Sequence, residues 1–327
     1  MADAESVPPG SYLVLGASGL VGAHALARLG DRPGVRVRAV TRSRPLPLGA
    51  ANIEHRRADL RDPGAAAALM EGIDFVLLFA GVVATAPVLA RDPVGPVRDQ
   101  MAVTTSVCDA AFRAGVPRVV FLSSTTGYPM RDGPLEEDDM FAGEPPSGWD
   151  YLGWATRFLE VQARALAGYA RGRTSFVALR PTMIYGAHDN FSFEEGHFLP
   201  ALLRRVVERR NPIEVWGTGE EERDLVHARD VVDASLRALR IDGFDAFNVA
   251  AGEAHSVGSI LDRLLCLDGF SDARIEHVPG RPRSVRRRSF SAGHARRKLG
   301  FEPRVTLDDG LRETLEWYRR NRDRARH

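Results

Sequence analysis

Three glycines, Gly16, Gly19 and Gly22, stand in the stretch YLVLGASGLVGAHALARL, residues 12–29. Four apolar residues precede them and an alanine- and leucine-rich run follows. Strand, G-x-x-G-x-x-G turn and helix start are the parts of a dinucleotide phosphate site. Gly16 permits the tight turn, Gly19 lets the backbone approach a pyrophosphate, and Gly22 lets the helix pack close to the strand. The helix start offers free N–H groups and the positive end of its dipole. Ser18, Leu20 and Val21 complete the expected cradle. A second set of residues selects the cofactor. After VRVRAVT (35–41), an acidic residue would hydrogen-bond the ribose 2′-OH of NAD. The chain has Arg42, Ser43 and Arg44 there instead. Arginine suits a 2′-phosphate because its planar fork makes paired, charge-assisted bonds. NADP is therefore expected, with NAD possible. Asp59 and Leu60, in ADLRDP, are placed at the adenine edge, and Ala80 and Gly81 beside the nicotinamide ribose.

These residues need strands to carry them. Further strands are read at 53–57, 73–80, 116–124 and 174–179, and helices at 93–114 and 149–171. Strands alternating with helices at this spacing predict an α/β fold, a Rossmann-like doubly wound parallel sheet. Its ligands bind at the carboxyl ends of the strands, where Gly16, Arg42, Asp59, Gly81 and Ser124 all fall. The expected division is a dinucleotide-binding domain at 11–180, with 225–250 returning to it, and a mainly substrate-binding lobe at 181–327. That lobe reads as loops and short helices, with an amphipathic helix at 307–322 and a frayed, solvated tail.

Composition narrows the class. The chain has 327 residues and a formal net charge of +1, so no global field draws in nucleic acid or anionic membrane. The uncharged run 75–90 is shorter than the ~20 residues a membrane helix needs; it reads as a strand followed by a loop. The two cysteines, Cys108 and Cys266, lack metal-type spacing and fit a reducing cytoplasm, and no metal is expected. The N-terminus MADAESVPPG is polar and acidic, unlike a signal peptide. There are 43 arginines and one lysine, Lys298.

The motifs GASGLVG, ADLRDP, AGVPRVVFLSSTTGYP, LRPTMIYG, VWGTGEEERDLVHARDVVDA and KLGFEPRVTLDDGLRETLEWY resemble the extended short-chain dehydrogenase/reductase family almost end to end. This is the family of NAD-dependent sugar-nucleotide epimerases, dehydratases and reductases. The pair YP after the serine strand and the stretch YGAHDNFSFEEGHFLPALLRR look most like its GDP-fucose synthase branch, a reductase and 3,5-epimerase of a GDP-4-keto-6-deoxy sugar. The resemblance implies that Ser124 bonds the substrate oxygen. It implies that His197 is an acid in epimerisation, a role suited to a group titrating near neutrality. It gives Arg223, and Arg283 or Arg286, to the nucleotide diphosphate, and Trp216 to the base. Thr125, Met183, Asn190 and Arg205 complete the substrate set. It also implies a homodimer formed through the helices at 93–114 and 149–171.

The chain departs from the family at its catalytic pair, a tyrosine with a lysine four residues on. One helical turn sets that pair on one face, and the lysine's charge favours ionised tyrosine. In GWDYLGWATRFLE two registers compete. With Tyr151 as the tyrosine, the lysine position is Ala155. With Glu160 setting the register, the positions are Leu152 and Thr156. Arg157 is near but is no simple replacement. The branch's epimerisation cysteine corresponds to Thr126, whose hydroxyl is a poor base without an activating partner. The family's asparagine corresponds to Met183.

Loss of the lysine harms oxidation of an alcohol more than reduction of a ketone, where a neutral tyrosine can still donate a proton. The expected function is an NAD(P)-dependent reductase or epimerase of a nucleotide-linked 4-keto-6-deoxy sugar. Ser124 holds the oxygen and Tyr151 gives the proton, with His197 and Thr126 as further catalytic candidates. The alternatives are a non-redox epimerase and a cofactor-binding partner or sensor without turnover.

Overall fold

The computed structural model describes residues 7–82, 85–131, 133–193, 196–278 and 288–326. Its first half alternates as expected: β1 (Gly10–Leu15), α1 (Leu20–Leu29), β2 (Val35–Thr41), β3 (Ile53–Arg57), α2 (Pro63–Ala68), β4 (Phe75–Leu78), α3 (Ala86–Arg91), α4 (Gly95–Ala114) and β5 (Arg118–Leu122). The short β6 (Pro134–Leu135), α5 (Asp150–Ala170), β7 (Ser175–Pro181), β8 (Met183–Tyr185), α6 (Phe198–Val207), β9 (Ile213–Trp216) and β10 (Glu222–His227) follow. The chain ends with α7 (Ala228–Ala238), β11 (Phe244–Val249), β12 (Ala254–Ser256), α8 (Val257–Asp268), β13 (Ile275–Val278), β14 (Ser289–Phe290), α9 (Gly293–Leu299) and α10 (Leu307–Asn321).

Seven strands form one parallel sheet in the order β11-β7-β5-β4-β1-β2-β3. The α/β class and the doubly wound sheet expected from the sequence are both present. β1 sits inside it, and its alternate residues serve two cores. Tyr12 and Val14 join the layer that holds α1 and α7, while Leu13 and Leu15 join the layer that holds α4 and α5. A strand buried on both faces reads as a continuous apolar run, as VRVRAVT does not and YLVL does. The strand order reverses between β1 and β4, which opens a crevice beyond their carboxyl ends.

Past β7 the chain is more regular than expected. A three-stranded sheet, β12-β10-β8, and a two-stranded one, β13-β9, stand among α6, α8 and α10. Tyr185, Phe191, Leu203, Leu264, Leu311 and Tyr318 make a separate core there. These strands are three to six residues long, too short to show an alternation in sequence. Asp224 fastens this part to the large sheet, accepting from the Thr182 hydroxyl (2.9 Å) and from the amides of Ala251 and Gly252 (both 3.0 Å).

Two other expectations change. The loop after β4 ends in a helix, α3, started by Pro87 near its N-terminus, where proline's missing N–H costs nothing. The tail is not frayed throughout, because Arg326 pairs with Asn190 and its carbonyl accepts from the Phe191 amide at 2.8 Å. Backbone pairing of that kind leaves no mark in so arginine-rich a sequence.

Candidate active site

The glycine turn is built as a cradle. Gly16 holds φ at +86°, and a Cβ there would stand 2.5 Å from the Ala80 amide nitrogen. A Cβ on Gly22 would stand 2.2 Å from the Gly16 carbonyl oxygen. Neither distance leaves room for a side chain. Gly19 differs: its Cβ would meet only that same oxygen, at 3.3 Å, so its outer side is open. α1 begins there with no side-chain cap and no acidic residue in its first turn. Ser18 and Leu20 are partly buried at the turn, and Val21 is buried. The first-turn amides therefore face the crevice with no carboxylate competing for them, which fits a dinucleotide pyrophosphate.

At the next strand end Arg42, Ser43 and Arg44 are all exposed. Asp59 is engaged: Arg61 bonds it through Nε (3.0 Å) and Nη2 (2.6 Å) and reaches on to Asp99 at 2.8 Å. Those bonds hold the Asp59 carboxyl at about 2, well below its usual range. Leu60 is buried in the core. Ala80 backs the glycine turn and Gly81 is exposed. The following amide, Val82, donates to Gln100 Oε1 at 2.8 Å.

Beyond β5, Ser124 caps the turn Thr125–Gly127. Its Oγ accepts from the Thr126 amide (3.1 Å) and shares a hydrogen bond with the Thr126 hydroxyl (2.9 Å). The residue before it, Ser123, donates to Glu160 Oε1. Glu160 in turn receives Arg180 Nε at 2.9 Å and Nη2, with both side chains almost wholly buried. Arg180 also donates to Tyr128 Oη at 2.7 Å, and Tyr128 donates to Asn248 Oδ1 at 2.6 Å. Removing one partner of a buried pair such as Arg180–Glu160 costs about 3–5 kcal/mol. This anchor was not foreseen, although a lone arginine ending an apolar strand, SFVALRP, was its sequence signal.

The anchor orients α5. Residues four apart share a helix face, so Thr156 and Leu152 follow Glu160 toward the helix N-terminus on the side of Ser123. Thr156 is buried, and its hydroxyl donates back to the Leu152 carbonyl at 2.9 Å. Ala155 lies on a different line, with Leu159 and with Gln162, whose Oε1 accepts from Thr105 of α4 at 3.2 Å. Tyr151 is 49 % exposed, and among the described residues its hydroxyl has no hydrogen bond. Arg157 braces the serine turn from below. Its Nε donates to the Gly127 carbonyl at 2.8 Å, and the guanidinium lies 4.6 Å from the Trp154 ring. It is held by structure, not offered to a ligand.

The remaining candidates lie past β7. Thr125 is partly buried, and its carbonyl accepts from Arg288 at 3.1 Å. Met183 pairs with Leu225 across β8 and β10, two residues from Arg223. Burial lowers the pKa of the Arg223 and Arg205 guanidinium groups. Arg205 also stacks 4.8 Å from the Phe193 ring. Asn190 is buried, and Trp216 is exposed at the end of β9. His197 is exposed at the start of α6. Arg283 and Arg286 lie outside the described residues.

A histidine cluster sits behind the glycine helix. Ligand atoms of His24, His227 and Glu313 lie within 4.8 Å of one another. His24 Nδ1 donates to the Leu20 carbonyl, and His227 Nδ1 accepts from the Arg229 amide. A ring that accepts at Nδ1 carries its proton at Nε2. His227 therefore presents an N–H to the cluster, and Glu313 is already paired with Arg229. The set does not suit a cation.

The family model for the NAD dependent epimerase/dehydratase family matches residues 12–250. The chain belongs to this family. A dTDP-4-dehydro-6-deoxy-D-allose reductase from a Streptomyces species is 30% identical over 320 residues, 94% of this chain and 96% of the relative. A putative GDP-L-fucose synthase 2 from Arabidopsis thaliana is 30% identical over 230 residues, 67% of each chain. Among solved structures, MoeE5 in complex with UDP-glucose and NAD superposes with a TM-score of 0.82 at 29% identity, covering 95% of this chain and 99% of that one. The protein is an NAD(P)-dependent enzyme of the sugar-nucleotide reductase and epimerase type, and the extended short-chain dehydrogenase/reductase resemblance stands.

Proposed function

We propose that the protein reduces the keto group of a nucleotide-linked 4-keto-6-deoxy sugar and leaves the neighbouring carbons unepimerised. One observation carries this reading. The position that holds the epimerisation cysteine in the GDP-fucose synthase branch is Thr126, and its hydroxyl is committed to Ser124 at 2.9 Å. The reductase relative, matched over nearly its whole length, fits the same reading. The exposed Arg42 and Arg44, with no acidic residue at the end of β2, favour NADP. When bound, the reduced nicotinamide supplies a hydride to the keto carbon. The chain's part is to seat the pyrophosphate on α1, to engage the diphosphate through Arg223, and to hold the sugar oxygen at Ser124. We place Tyr151 outside this step, because Glu160 brings Leu152 and Thr156, not Tyr151, to the serine side. Hydride addition leaves an alkoxide on the sugar, and we assign the proton it takes up to His197, exposed at the start of α6. We assign the other substrate contacts mainly to the 181–327 lobe and the enzyme to the cytoplasm.

Turnover tests the reading. Purified protein with NADPH should consume dTDP-4-dehydro-6-deoxy-D-allose or a GDP-linked 4-keto-6-deoxy sugar. In heavy water the product should carry no deuterium at the carbons flanking the new alcohol. Ser124→Ala should lower kcat by about 10²–10³, the usual effect of losing a donor to a developing oxyanion. Cofactor that stays bound without turnover would favour the sensor reading, and flanking deuterium would favour the epimerase.

We further propose that two copies pair through α5. Tyr151, Trp154, Phe158, Val161 and Tyr169 leave an apolar stripe on its outer side, all between 47 and 75 % exposed. The first four are spaced three and four residues apart and Tyr169 lies about two turns beyond Val161, so all five share one side of the helix, and such patches on a folded chain mark interfaces. A two-fold axis through α4 and α5 would cover it with the same stripe. Phe158→Glu should sediment as a monomer where the unaltered chain is a dimer; a monomeric unaltered chain would refute the pairing.

A further inference from the structure

The proposed reduction leaves open what fixes the direction of the Ser124 hydroxyl. A serine oxygen has one proton and two lone pairs. Here the Thr126 amide takes one lone pair at 3.1 Å, and the Thr126 hydroxyl stands 2.9 Å from the same oxygen, so the two hydroxyls share one hydrogen bond in which either can donate. A keto oxygen can only accept, so once it is seated the Ser124 proton turns to it and the Thr126 proton fills the second Ser124 lone pair. The Thr126 hydroxyl has no other hydrogen-bond partner among the described residues, so its proton is not drawn elsewhere. The turn itself is fixed: Arg288 Nη2 bridges the Thr125 and Tyr128 carbonyls (3.1 and 3.0 Å) and Arg157 holds the Gly127 carbonyl.

We infer that Thr126 is a positioning residue, which makes Ser124 an obligate hydrogen-bond donor toward the sugar oxygen. This rests on the reductase reading above. The inference gives position 126 a role that a proton-abstracting base cannot fill, since the threonine oxygen donates where a base would accept. It also explains how the site works with Leu152 and Thr156 in place of the family's tyrosine and lysine. The oxygen that gains charge during reduction meets a donor whose own oxygen is supported by two further donors. Such chains of hydrogen bonds polarise one another. As charge grows on the sugar oxygen, the bond from Ser124 strengthens, so the effect belongs in kcat and not in ground-state binding.

The experiment compares Thr126→Val and Thr126→Ser with the unaltered enzyme. Valine keeps the shape and the backbone amide but removes the hydroxyl; serine keeps the hydroxyl. Thr126→Val should lower kcat about tenfold, with KM for the keto sugar within about twofold and an unchanged Kd for NADPH. Thr126→Ser should lie within about threefold of the unaltered enzyme. A purely structural role would lower both variants' melting points and leave the kcat/KM split unaltered. Thr126→Val turning over like the unaltered enzyme would overturn this inference alone, as would a loss confined to KM. Should Thr126→Val not fold, Thr126→Ala against Thr126→Ser asks the same question. An unaltered chain that reduces neither the dTDP- nor the GDP-linked keto sugar would overturn the reductase reading and this inference with it.

Discussion

α1 and α5 flank the same crevice and have kept different shares of their chemistry. α1 retains every feature its task needs: three glycines, an uncapped start and no carboxylate in the first turn. α5 retains its placement but not its reactive groups. Glu160 still reaches Ser123 and Arg180, while one and two turns away stand Thr156 and Leu152. Cofactor seating is thus set by backbone geometry that any substitution disturbs. Proton handling is set by side chains that can change while the scaffold stays. The difference teaches that an intact dinucleotide cradle says little about which group completes the reaction.

The comparison breaks most sharply at Gly22. Gly22→Val places carbon where 2.2 Å separates the Cβ position from the Gly16 oxygen, so β1 and α1 must part. NADPH binding, followed by fluorescence titration, should fall below detection, a loss of about 100-fold or more. Binding within tenfold of the unaltered chain would mean the cofactor does not use the first turn of α1.

α5 offers a gain in place of a loss. If Glu160 sets the register, the double change Leu152→Tyr with Thr156→Lys restores an acid and a neighbouring cation on the serine side. Reduction of the keto sugar should rise about tenfold, less than the roughly 10²–10⁴-fold of an acid held in ideal geometry. Tyr151→Phe with Ala155→Lys should give no gain, and Tyr151→Phe alone should keep turnover within about twofold. A collapse of turnover in Tyr151→Phe would return the proton donor to Tyr151 and move the register by one residue.

How much of this was legible follows from the same contrast. The glycine turn, the strands and the sheet could be read because backbone geometry restricts residue types. Gly16 and Gly22 admit nothing larger, and strands buried on both faces must be apolar. The register of α5 could not be read, since Tyr151 and Leu152 are neighbours and the choice between them depends on Glu160 meeting Ser123, 37 residues away in the chain. Asp59 was expected at the adenine, and Arg61 was not foreseen as its partner. Arg157, near the lysine position but no simple replacement for it, is committed to the Gly127 carbonyl, a partner 30 residues away. Long-range hydrogen bonds decide such cases, and spacing along the chain does not encode them.

The smallest effect lies behind α1, where the cradle leans on α7 and α10. Burial lowers His227 to about 3 and His188 to about 4, and holds His24 below its usual value. In the unfolded chain these rings titrate near 6.5. Below that pH the unfolded chain binds protons that the folded chain refuses. Stability is therefore full above 6.5 and falls as pH drops toward 4 and 3. For His227, only 1 % exposed, the loss at pH 5 is about 2 kcal/mol. Glu313 and Arg229 act on His24 with opposite signs, and the buried Asp230, its carboxyl raised, works against the trend. His227→Asn keeps an oxygen to cap the Arg229 amide and removes the proton. Asp230, Glu313 and Arg229 are common to both chains and cancel in the difference. Urea denaturation at pH 7 and pH 5 should therefore show the unaltered chain losing about 2 kcal/mol more than His227→Asn. Equal losses would mean that His227 takes up its proton in the folded state, and that the packing behind α1 yields to charge where the glycine turn in front of it does not.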